Sequence, residues 1–106
     1  MQDEVIFETR ENTLCAHLTC EIDHHVAGRI RQKIDRKLFE VRPECLVLDF
    51  SDVRFMDSSG IALILGRVET ARGVGATVRL INLSDNLMKL VRLSGIEKIA
   101  GLSVRG

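Results

Sequence analysis

Tryptophan and tyrosine are absent from this chain, and its only aromatic residues are four phenylalanines. Proteins that hold single-stranded nucleic acid stack bases on aromatic side chains, so that platform is missing. An excess of one charge is missing too: Lys plus Arg total 15 and Asp plus Glu total 15. A nucleic-acid binder usually carries a basic surplus on one face, so direct nucleic-acid contact is not expected. Long apolar runs are also absent. The longest unbroken one is Ile61 to Leu65, against the roughly 20 residues that a membrane-spanning helix needs. The start, Met1-Gln2-Asp3-Glu4, is acidic and leads into no long apolar stretch, unlike a secretory signal. Together these absences predict a cytoplasmic protein that does not use a membrane.

Cysteine is scarce and odd in number. Cys15, Cys20 and Cys45 contain no Cys-x-x-Cys pair and read as reduced residues of the core or near surface, without a metal or redox role. His24 and His25 are adjacent, so on a helix their side chains diverge and cannot easily share a metal. His17 falls on the exposed side of a strand pattern and reads as ordinary surface. No glycine-rich loop ends in Gly-Lys-Ser or Gly-Lys-Thr, and no Gly-x-Gly-x-x-Gly occurs, so no nucleotide cradle is expected. Ser58, His24 and Asp23 could form a hydrolytic set on paper, but the Gly-x-Ser-x-Gly elbow is absent. These gaps predict neither catalysis nor a cofactor.

What is present is the pattern of one small folded domain. Hydrophobic residues make up 45% and charged residues 28% of 106 positions, enough for a single core over residues 1–106. Val5 to Thr9 and Thr13 to Cys20 read as strands joined through Arg10-Glu11-Asn12. In the second, Leu14, Ala16 and Leu18 alternate with Cys15, His17 and Thr19, the period of a half-buried strand. Asp23 reads as a helix N-cap. Behind it Ala27, Ile30, Ile34 and Leu38 form an apolar stripe. Opposite lie Arg29, Arg31, Lys33, Arg36 and Lys37, read first as a solvated face and second as an edge for an acidic partner. Pro43 separates this helix from Cys45 to Phe50, a nearly continuous apolar run suited to a central strand.

Asp57-Ser58-Ser59-Gly60 opens a second helix that ends at Gly73 and Gly75. The pair Gly60 and Gly66 reads as a close-packing device. Thr77 to Ile81 is a further strand, Ser84 caps a third helix stopped by Gly95, and Ile96 to Leu102 adds a short strand or turn. The order β-β-α-β-α-β-α predicts an α/β fold with a mixed sheet of four or five strands and helices mainly on one face.

Capping accounts for one polar residue at the start of the second helix, and less well for Asp57, Ser58 and Ser59 in succession. A serine at a helix N-terminus is also a suitable phosphate acceptor, because the partial positive charge there tolerates an added anion. Phe55-Met56-Asp57-Ser58-Ser59-Gly60-Ile61, continuing to Leu65-Gly66-Arg67, resembles the phosphorylation segment of the sporulation-type anti-sigma factor antagonists, which are single STAS domains. Glu21-Ile22-Asp23-His24-His25 and Leu93-Ser94-Gly95-Ile96 resemble two further segments of that family, in the same order and spacing.

The resemblance implies transcription regulation by partner switching. The unphosphorylated protein would bind an anti-sigma factor that is a serine kinase, freeing the sigma factor. Phosphorylation of Ser58 would end binding, and a serine phosphatase would reset the switch. Asp23, Asp57, Ser58, Ser59 and Gly60 would form the partner surface. The sequence departs from the family at Cys20, where members usually have glycine, so that a tight turn there would need adjustment; many members also continue past the position of Gly106 with another helix. A second reading, a constitutive STAS accessory subunit of a lipid-transporting ABC system, is disfavoured by the acceptor segment.

Overall fold

The computed structural model describes residues 3–106; Met1 and Gln2, half of the acidic start discussed above, lie outside the described residues. The elements are β1 (Val5–Arg10), β2 (Thr13–Leu18), α1 (His24–Val41), β3 (Cys45–Asp49), α2 (Ser58–Gly73), β4 (Thr77–Ile81), α3 (Asp85–Ser94) and β5 (Leu102–Val104), with a 3₁₀ turn at Ile96–Lys98. The five strands lie side by side in sequence order. β1 and β2 form an antiparallel hairpin, and every later pairing is parallel. This is the expected mixed sheet, but the segment expected to hold the last strand or turn begins with the 3₁₀ turn, and the strand itself starts only at its final residue, Leu102, and runs on to Val104.

Alternation along the strands sorts the two faces. Leu14, Ala16, Leu18, Leu46, Leu48, Val78 and Leu80 point into the core and are almost wholly buried. Against them lie Ile30, Ile34 and Leu38 of α1 and Leu63, Ile64, Val68 and Ala71 of α2. The opposite face carries Cys15, His17, Asp49 and Arg79, which are half-buried or exposed. Burying an aliphatic side chain contributes about 1.5–3 kcal/mol, so this one-sided core is what holds helices and sheet together.

The punctuation is physical. Glu11 takes a positive φ of 54° in the hairpin turn. Arg42 takes φ 49° as the C-cap of α1, its N–H donating to the Leu38 carbonyl, just before Pro43. Gly75 and Gly95 supply φ values of 79° and 78° after α2 and α3, where a side chain would be strained. Cys20 is not among the residues with positive φ. Its backbone is one that any residue adopts, so the adjustment expected from the missing glycine is not needed. Gly60 behaves as a packing glycine, since a Cβ there would stand 2.7 Å from the Met56 sulfur. Gly66 does not: a Cβ there would meet nothing within 4 Å.

The basic stripe of α1 is in part spent inside the molecule. Lys33 Nζ and Arg29 Nε each donate to the Glu4 carboxylate at 2.8 Å, tying the chain entering β1 to the helix. Lys37 lies 3.8 Å from Glu40 and over the Phe7 ring, while Arg31 and Arg36 are exposed. The hydrogen bond from Lys33, then that from Arg29, pulls the Glu4 carboxyl from 4.5 to about 2. Its folded value lies below its unfolded one, so the stabilisation is complete above the unfolded value and fades as pH falls towards the folded one. The cations are substantially solvated, and Glu4→Gln is therefore expected to cost no more than about 1 kcal/mol at neutral pH. Urea midpoints should differ slightly at pH 7 and converge in strong acid; a constant difference would show that charge is not its source.

Candidate functional site

Two helix N-termini are brought side by side by one short backbone link. Ile22, just after β2, and Met56, at the end of the loop after β3, form an isolated parallel bridge. The Ile22 N–H donates to the Phe55 carbonyl at 3.0 Å, and the Asp57 N–H donates to the Ile22 carbonyl at 3.2 Å. Both bridge side chains are buried, Ile22 completely. The next residue on each side is a helix cap. Asp23 Oδ1 accepts from the N–H groups of His25 and Val26 at 2.9 and 3.0 Å. Asp57 Oδ1 accepts from the Ser59 N–H at 2.7 Å. The N–H of Val26, followed by that of His25, holds the Asp23 carboxyl below the usual carboxylate range, keeping it ionised at the mouth of the site.

Capping therefore consumes Asp57 and leaves Ser58 free. Ser58 is the first residue of α2 and is exposed; among the described residues its side chain makes no hydrogen bond. Ser59, one residue on, is half-buried and lines a shallow notch between the helices with His24, Gly28, Arg31 and Leu63. Gly60 is buried against Met56, so it lies beneath the surface that Asp23, Asp57 and Ser58 present. Phe55, just before the bridge, is 52% exposed, a large apolar group left in solvent next to the site. The position of Ser58 gives its hydroxyl access to solvent and to the positive end of a helix of 16 residues. An anion added there is favoured by the helix dipole.

Two features escaped the sequence reading. His17, read as ordinary surface, is half-buried and lies between two carboxylates, Asp49 and Asp52. Arg67, inside the apolar run of α2, is 4% exposed and faces Asp35 of α1 at 3.1 Å. The rings of His24 and His25 meet edge-on at 6.0 Å, and the three cysteines are free and half-buried. Burial, then the nearby Asp49 and Glu8 carboxylates, pushes the Cys15 thiol up. Among the described residues no helix is long and apolar enough to cross a membrane.

Fold and site together define a STAS domain, and the chain belongs to that family: the family profile matches residues 4–104. Within the family it is similar to the anti-sigma F factor antagonist of Lysinibacillus sphaericus, 35% identical over 88 residues, covering 83% of this chain and 74% of that one. It is also similar to the anti-sigma-B factor antagonist of Bacillus subtilis, 29% identical over 105 residues and covering 99% and 94%. Among solved structures, the Bacillus cell fate determinant SpoIIAA in its phosphorylated form superposes with a TM-score of 0.71 at 30% identity, covering 94% of this chain and 89% of that one.

Proposed function

We propose that this protein is an anti-sigma factor antagonist of the cytoplasm, a binding protein without turnover of its own, whose switch is the hydroxyl of Ser58. In the unphosphorylated form the surface of Asp23, Asp57, Ser58 and Ser59 binds an anti-sigma factor that is also a serine kinase, and so releases a sigma factor. Gly60 serves that surface from below, by letting α2 begin close to Met56. Transfer of the ATP γ-phosphate to Ser58 Oγ ends binding, and a serine phosphatase restores it. The observation that carries this reading is the division of labour at the start of α2: Asp57 caps the helix and leaves Ser58 exposed with a free hydroxyl. Similarity to a protein solved in a phosphorylated form supports it.

The test is phosphosite mapping by mass spectrometry after incubation with the cognate anti-sigma kinase, ATP and magnesium. Phosphate is expected on Ser58 in the native protein and in Ser59→Ala, and on neither serine in Ser58→Ala. Phosphate on Ser59 alone would overturn the assignment. So would a kinase partner that binds the protein but never modifies it, the behaviour of a constitutive accessory subunit.

A further inference from the structure

The outer face of the sheet carries a charged cluster at the end from which the loop of residues 50–57 departs. His17 and Asp49 are register partners on β2 and β3, and His17 Nδ1 lies 3.1 Å from Asp49 Oδ2. The other ring nitrogen, Nε2, lies 2.7 Å from Oδ2 of Asp52, which belongs to the loop. Asp49 is itself fixed: its Oδ1 accepts from the Ser51 N–H and from Asn82 Nδ2, each at 3.0 Å. Asn82 follows β4 with φ 60°, so strand, loop and the next strand's exit converge on one carboxylate.

The chemistry of imidazole makes this arrangement depend on a proton. A neutral ring has one N–H, so it donates to one carboxylate and turns a lone pair towards the other. Only the imidazolium donates to both. Asp49 is held by two other donors and stays, whereas Asp52 has no further hydrogen bond among the described residues. Loss of the proton leaves one of the two carboxylates facing a lone pair, and Asp52, exposed and held by no other hydrogen bond among the described residues, is the one free to move away. We propose that His17, Asp49 and Asp52 form a proton-operated clasp that ties the loop leading to Ser58 to the sheet and, by releasing Asp52, alters how Ser58 is presented. The second half of this proposal rests on Ser58 being the acceptor.

Two exposed cations lie in the neighbourhood, Arg79 of β4, the register partner of Val47, and Arg54 of the loop, and neither is paired with Asp49 or Asp52. Asp49 and Asp52 are the charged groups acting on the ring. β1 places Ile6 opposite His17 and Glu8 opposite Cys15, β2 itself contributes the Cys15 thiol one alternation away, and β4 sets Ile81 beside Asp49. The Asp49 hydrogen bond, then that of Asp52, raises the His17 pKa above the ordinary histidine value against the opposing effect of burial. The stabilisation is thus fully present below the unfolded histidine value of about 6.5 and is lost as pH rises through the higher folded one. Phe50, Val53 and Met56 are buried and keep the path of the loop, so what the clasp adds is a charge-dependent restraint on Asp52 and its neighbours.

The test is an NMR titration of the full chain across neutral to alkaline pH, following the His17 ring nitrogens and the backbone amides of residues 51–58. His17 is expected to titrate above an ordinary histidine, with the Asp52, Val53 and Ser58 amides moving at the same midpoint. In Asp52→Asn, on an exposed loop, His17 should still titrate but the loop amides should no longer follow it. His17→Gln should hold those amides near their alkaline positions throughout. In parallel, the rate of phosphorylation by the partner kinase, taken as a ratio of native protein to His17→Gln so that the kinase's own pH dependence cancels, should change several-fold across the same midpoint. An ordinary His17 midpoint, or loop amides indifferent to it, would overturn the clasp. Coupled amides with a constant ratio would overturn its regulatory half. Coupled amides without any phosphorylation would uphold the clasp and overturn the acceptor assignment.

Discussion

Phosphorylation of Ser58 is expected to lower affinity for the anti-sigma partner by about a hundredfold or more, while the fold survives intact. Both halves follow from where the hydroxyl stands. The phosphate adds about −1.5 to −2 charges at pH 7 at the first position of α2, the end of a helix that favours an anion. The side chain is exposed, so no packed neighbour has to move to admit it. A partner fitted to the neutral hydroxyl, with the Asp57 carboxylate beside it and Asp23 across the Ile22–Met56 bridge, meets a dianion instead. Like-charge contact and desolvation across an interface cost several kcal/mol, and each 1.4 kcal/mol is about tenfold in affinity. Ser58→Ala should keep binding and lose the switch. Ser58→Asp, with less charge and a shorter reach, should weaken binding only in part. Isothermal titration of both forms gives the affinity ratio, and thermal unfolding of the free phosphoprotein checks the fold. Equal affinities would remove the switch, and a collapse of the folded state would replace an interfacial mechanism with a conformational one.

The scaffold behind that switch is legible in the sequence wherever a single element decides the outcome. Alternation in Leu14 to Leu18, the stripe Ile30, Ile34 and Leu38, the caps Asp23 and Ser84 and the stop at Gly95 are all local patterns, and each is where it was read. Strand ends in the first four strands slipped by at most two residues, since pairing ends where the partner ends: β2 stops at Leu18 because its partner there is Val5, where β1 begins.

What local patterns could not give is anything that needs two elements in register. His17 looks like surface until β3 is set beside β2 and Asp49 falls opposite it. The closeness of Asp23 and Asp57 depends on the bridge between Ile22 and Met56, which are 34 positions apart, and no periodicity reports that. Arg67 did leave a signal that went unused. It follows Leu63 and Ile64 at helical spacing, on the stripe that Val68 and Ala71 continue. A cation on such a stripe is buried, and it therefore needs an anion on the facing helix.

Breaking that buried pair from the Asp35 side is expected to be the most destabilising of the substitutions considered, at about 3–5 kcal/mol. Arg67 Nη1 and Asp35 Oδ1 are 3.1 Å apart, with the Arg67 side chain 4% exposed and the Asp35 side chain 23% exposed. The contact is one of charge more than of hydrogen bonding. Among the described residues, Asp35 Oδ1 and the Arg67 Nε and Nη1 atoms have no hydrogen-bond partner. Burial dominates both groups, raising the Asp35 pKa and lowering that of Arg67, and in each case the partner opposes it. Such a pair is weakly justified by energy alone, because desolvation of two charges offsets most of their attraction.

The consequence is an asymmetry between the two single variants. Asp35→Ala strands a guanidinium that is only 4% exposed in the interface of α1 and α2. Arg67→Met replaces the cation by an apolar chain of similar length, and the remaining carboxylate, already partly exposed, can reach solvent. Arg67→Met should therefore cost clearly less than Asp35→Ala, and adding Arg67→Met to Asp35→Ala should recover most of the lost stability. Urea unfolding of the four proteins closes this cycle. A double variant as unstable as the sum of the singles would mean that the two groups are not coupled, and equal costs for the singles would mean that a stranded carboxylate is no better accommodated than a stranded guanidinium; either result would overturn the asymmetry.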